Sequence, residues 1–134
     1  PYDDNFGFKS HTIRANYPLW AKRFKKIFAG KAVLELYYWS GSPYNYKRDG
    51  SKQVVFATLT KDDGIGIQKL EFLQNGDGER SLEWPSIDMD FHQSPQWQTL
   101  AQKDGLRFED WKAWFKGYDL SEPMAIIHFT NFRY

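Results

Sequence analysis

A set of side chains that could do chemistry lies between Gly7 and Asn16: Gly-Phe-Lys-Ser-His-Thr-Ile-Arg-Ala-Asn. A glycine opens this run, and β-branched Thr12 and Ile13 predict an extended strand. Side chains alternate across a strand, so Ser10, Thr12 and Arg14 share one face while Lys9, His11 and Ile13 point the other way. Lys9 stands at the strand entrance, where a long flexible side chain still curls toward the first face. A desolvated amine accepts a proton, a hydroxyl attacks an acyl carbon, and a guanidinium grips an anion or a carbonyl. The plainer alternative is a good strand residue flanked by two solvated cations.

The elements around this strand follow from local chemistry. Asn16 can cap a helix beginning near Tyr17, with Pro18 tolerated in its first turn. Trp20, Phe24, Ile27 and Phe28 form one apolar stripe along it, and Gly30 suits a left-handed cap. Lys31 to Trp39 alternates like a strand, and Ser40 to Ser51 is a loop punctuated by Gly, Pro, Asn and Asp. Gln53 to Thr60 and Ile65 to Phe72 read as a hairpin across Lys61-Asp-Asp-Gly64. Asn75 to Glu79 is a turn. Gln96 to Lys103 and Phe108 to Lys116 are short helices, the second with Phe108, Trp111 and Phe115 as its core stripe. Met124 to Phe132 is a final strand.

Length and composition narrow the class. The 134 residues suit one domain over 1–134, and an aromatic share of 19% suits a compact fold with stacking surfaces. With no cysteine, disulfides and thiolate metal sites are excluded. Asp62 with Asp63, and Asp88 with Asp90 and His92, do not complete a ligand set, so no metal or other cofactor is expected. No apolar run approaches the ~20 residues that cross a bilayer, so a membrane is not expected and a cytoplasmic home is the default.

Charge is distributed unevenly behind a formal net charge of +1. No acid occurs between Asn5 and Leu34, where Lys9, Arg14, Lys22, Arg23, Lys25, Lys26 and Lys31 are all basic. From Glu71 to Asp110 nine acids face Arg80, Lys103 and Arg107. A cationic side centred on the early strand and its helix favours a phosphate-bearing partner, with Lys22 and Lys26 on the helix and Arg14 on the strand. Trp39, Ser40 and Tyr44 border the following loop, where aromatics beside cations suit stacking on an unpaired base.

Gly7-x-Lys9-x-x-Thr12-x-Arg14 resembles the G-x-K-x-x-E-x-R signature of ASCH domains, small proteins of the PUA-like β-barrel fold. Thr12 departs from the commoner Glu and is similar to the K-x-x-T-x-R variant of small bacterial amidohydrolases acting on N4-acetylcytidine. The order of elements resembles that family too: a helix after the motif, an apolar strand ending in Trp39-Ser-Gly-Ser-Pro-Tyr44, and Ala101-Gln-Lys-Asp104-Gly-Leu before an aromatic helix.

The resemblance implies an α+β fold, a PUA-like mixed β-barrel of about five to six strands with flanking helices. It implies first a binding module for RNA, single-stranded or modified, or for a nucleoside, using Lys9, Arg14, Trp39, Ser40, Tyr44, Lys22 and Lys26. The alternative it implies is an amidohydrolase in which Lys9 and Thr12 act with a later carboxylate. Asp104 is the carboxylate at that place, one methylene shorter than the family's Glu. Both readings require Lys9, Thr12, Arg14 and Asp104 to line one cavity.

Overall fold

A computed structural model describes residues 10–39, 53–88, 90–91 and 96–134. In chain order the elements are β1 (His11–Ala15), α1 (Tyr17–Phe28), β2 (Leu34–Trp39), β3 (Gln53–Leu59), β4 (Gly66–Gln74), β5 (Arg80–Ile87), β6 (Asp90–Phe91), α2 (Gln96–Lys103), α3 (Phe108–Trp114) and β7 (Met124–His128). The fold is mixed α+β. One sheet has five strands in the order β1-β7-β4-β5-β6, and a second pairs β2 with β3, every pairing being antiparallel. Among the described residues these sheets do not close into a barrel.

β7 organises the larger sheet. All five of its residues are buried, and it pairs with β1 on one side and β4 on the other. Its alternation divides two cores. Met124 and Ile126 join Ile13, Leu70, Phe72 and Ile87 against Leu100 and Ala101 of α2 and Trp111 and Phe115 at α3. Ala125 and Ile127 join Phe24 and Ile27 of α1 with Leu34, and Leu36 and Leu59 pack at its margin. The layers are therefore α2 and α3, the five-stranded sheet, then α1 beside the β2–β3 pair.

Local chemistry explains the elements that carry the candidate residues. Asn16 accepts the Leu19 amide at 3.3 Å, and a proline sits in the first turn of α1. Asn16 does so in the left-handed region, at φ 69°, which turns the chain sharply from β1 into α1. Phe24 and Ile27 are buried as the stripe predicts, but Phe28 is 49% exposed because it lies beyond the edge of the core. The expected hairpin at Lys61–Gly64 does not form. Thr60 and Asp63 instead make a reciprocal cap around a short 3₁₀ turn. β3 then stays with β2, while β4 crosses to β7.

Candidate functional site

Thr12 and Arg14 stand together on the α1 side of β1, as alternation requires. Thr12 pairs with Ile127, whose side chain packs into the α1 core. The Arg14 guanidinium folds back along the strand: Nη1 donates to Thr12 Oγ1 at 2.6 Å and to the Ile13 carbonyl at 3.0 Å. Among the described residues β1 is an edge strand, and the guanidinium also reaches Trp114 of α3, 5.6 Å from the ring centre. That indole is 47% exposed. An exposed aromatic face backed by a fixed cation is a stacking platform.

Asp104 lies elsewhere. Ser10 N donates to Lys103 O at 2.8 Å, which brings the end of α2 onto the start of β1. The neighbouring carboxylate then meets His11, with Oδ1 3.5 Å from Nδ1. His11 pairs with His128 in the ladder and points away from Thr12. The grouping of Thr12 with Asp104 is therefore corrected: the sheet runs between the hydroxyl and the carboxylate. Lys22 and Lys26 are exposed on α1, on the Thr12 side of the sheet. Lys9, Ser40, Tyr44 and the Trp39 ring lie outside the described residues, as does His92.

α1 carries Lys22, Arg23, Lys25 and Lys26, all exposed, and no acid. Arg23 lies over the Trp20 ring at 4.7 Å. Beyond the helix, Lys31 is exposed and the Lys61 ammonium comes up beside Gly30. Among the described residues no ion pair joins any of these cations to a carboxylate. At the other end of the helix, an open groove of about 540 Å³ separates the β1–α1 corner from the segment joining α3 to β7. Pro18, Tyr118, Pro123 and Met124 give it apolar walls, and Asp119 and Glu122 line it with carboxylates. Tyr17 N donates to Pro123 O at 3.2 Å, tying the two walls together. The Ser121 hydroxyl, then its amide and more weakly the charge of Arg80, hold the Asp119 carboxyl below its usual range.

Sequence reasoning missed a buried polar cluster on the opposite face. The His11 and His128 side chains are fully buried, and the Tyr134 hydroxyl meets His11 Nε2 at 2.6 Å. Burial, reinforced by Asp104, pushes the Tyr134 phenol well above its usual range, so it keeps its proton. His128 Nε2 contacts Gln68 Oε1 at 2.9 Å. The same oxygen accepts the Tyr134 amide at 2.9 Å, while Gln68 Nε2 donates to Asp88 Oδ2 at 2.8 Å. These neighbours fix the Gln68 amide, and with it the proton on His128 Nε2. Protonating Nδ1 as well would bury a cation, and His128 falls to about 3 through desolvation first and then His11, Arg133 and Lys103. The signal that could have found the pair is His11 alternating with Ile13, which places an imidazole on the core face.

Among the described residues no group of three or more His, Cys, Asp or Glu is placed to hold a metal. No described helix is long and apolar enough to cross a membrane. Comparison with protein-family models, curated proteins and solved structures found no match.

Proposed function

We propose that this chain binds single-stranded nucleic acid, RNA first, as a divergent ASCH-like domain whose fold is a form of the PUA-like barrel. The family assignment rests on the spacing of Gly7, Lys9, Thr12 and Arg14 and on a motif strand that runs directly into a helix. The observation that carries the binding role is the acid-free cationic side of α1, extended by Lys31 and Lys61. Like charges held together repel one another, and a phosphate chain relieves that repulsion while releasing its own counterions. Trp114 with Arg14 at its face offers a surface on which a base stacks.

Titrating a labelled single-stranded RNA at several salt concentrations tests this reading. Each phosphate neutralised contributes about 0.7 to the log–log salt slope. Engaging three or four of the cations would therefore give a slope of roughly −2 to −3. Absence of binding at low salt, or binding indifferent to salt, overturns it.

The Arg14–Thr12 contact favours one second reading, hydrolysis of an N-acylated nucleoside. A guanidinium 2.6 Å from the hydroxyl oxygen would stabilise a Thr12 alkoxide. The acid would have to come from a group other than Asp104. Release of cytidine from N4-acetylcytidine, lost in Thr12→Ala, is the result that would favour it over binding alone.

A further inference from the structure

We infer that the groove between the β1–α1 corner and the α3–β7 segment is the base pocket of the phosphate-binding face, and that it selects bases bearing an exocyclic amine. This inference rests on the nucleic-acid reading of α1. A volume of about 540 Å³ falls within the usual range of small-ligand pockets. Pro18, Tyr118, Pro123 and Met124 provide apolar surface for a flat ring.

The polar groups on those walls have the opposite sign to the helix beside them. Carboxylates repel phosphate, so Asp119 and Glu122 are not partners for the backbone; they are acceptors for N–H donors on a base edge. Ser121 occupies only Oδ1 of Asp119, donating to it from its amide at 2.9 Å and its hydroxyl at 2.5 Å. Adenine, cytosine and guanine each carry an exocyclic amine that such acceptors can hold, whereas uracil puts a carbonyl oxygen there and keeps only an N3–H flanked by two carbonyls that repel a carboxylate.

The helix sets the distance between the two functions. Pro18 lines the groove, and Lys22 and Lys25 follow it by four and seven residues, on the same side of α1. At the helical rise they stand about 6 and about 10 Å along the axis. A strand whose base enters the groove thus runs its phosphates onto Lys22 and then Lys25. Arg14 and Trp114, in contact with each other, precede the lining residues Ala15 and Gly117 by one and three positions.

Fluorescence anisotropy with labelled oligo(A), oligo(C) and oligo(U) at one salt concentration tests the assignment. The expected result is at least about fivefold tighter binding of the A and C oligomers than of U, in line with the discrimination one good base-edge contact gives. Glu122→Gln, which disturbs no turn, and Asp119→Asn should each narrow that ratio. Binding of oligo(U) should hold or improve as the repulsive charge leaves, a gain that a merely structural role would not produce. Equal affinity for the three oligomers, or a preference that survives both substitutions, overturns the base pocket while salt-dependent binding upholds the face on α1. Failure of all three to bind overturns the phosphate reading and the pocket with it.

Discussion

His11 and His128 stand opposite one another across the β1–β7 ladder, their rings edge to face with centres 5.5 Å apart and planes at 87°. Two imidazoles buried at contact distance cannot both become charged without a large electrostatic cost. His128 resists charging, through burial first and the facing ring second, its proton affinity reduced to about 3 from an ordinary 6.5.

The lowered proton affinity of His128 sets a pH dependence. Between about 6.5 and about 3 the unfolded chain holds a proton on His128 that the folded chain does not. Stability therefore falls as pH drops through this window, by an upper bound of about 5 kcal/mol for this group alone. Urea midpoints at a series of pH values should show the loss, and His128→Gln should flatten the slope relative to the parent. An unchanged slope in the variant would mean that the carboxylates govern acid unfolding.

Tyr134→Phe tests the other histidine. Removing the hydroxyl leaves His11 Nε2 buried without its partner at 2.6 Å. The expected cost is about 1–3 kcal/mol, read from denaturant unfolding, with no change in RNA affinity. A loss of binding without a loss of stability would instead move the functional face to this side of the sheet.

The corner at Asn16 separates two effects cleanly. Glycine there keeps the left-handed backbone and loses only the side-chain cap, so Asn16→Gly should cost a few tenths of a kcal/mol. Asn16→Ala loses the cap and strains the backbone as well, for about 2 kcal/mol in total. Thermal unfolding of the two variants checks the order. Equal losses would show that the cap, not the backbone, dominates.

Arg14→Lys separates charge from shape. The ammonium retains the positive charge but cannot span Thr12 Oγ1, the Ile13 carbonyl and the Trp114 face together. The salt slope of RNA binding should stay nearly constant while affinity drops severalfold. Lys22→Glu with Lys25→Glu should do the reverse and reduce the slope itself. Anisotropy titrations at varied salt distinguish the two patterns.

Local chemistry was readable in advance, and pairing across the chain was not. Asn16, Pro18 and Gly30 marked the bounds of α1 because caps and turns are properties of a few neighbouring residues. That Thr12 and Arg14 share a face followed from the two-residue period of a strand. The Lys61–Gly64 turn misled because Asp-Gly signals a reversal without saying which strands it joins. β5 escaped notice since Pro85 interrupts it and its burial pattern is irregular. The resemblance grouped Asp104 with Thr12, but the face of β1 on which α2 docks is fixed by packing between distant residues, which is also how Trp114 comes to meet Arg14.

The position of β7 has a consequence for how the molecule acquires its shape. Its two ladder partners, β1 and β4, come from much earlier in the chain, and His11 meets Tyr134 across a separation of 123 positions. Neither neighbour can complete its hydrogen bonds until this late segment is inserted between them. Loop closure over such separations is entropically demanding, which places the protein among slow folders for its size. During synthesis, the edge that β7 will cover stays open until nearly the whole of this sequence has emerged.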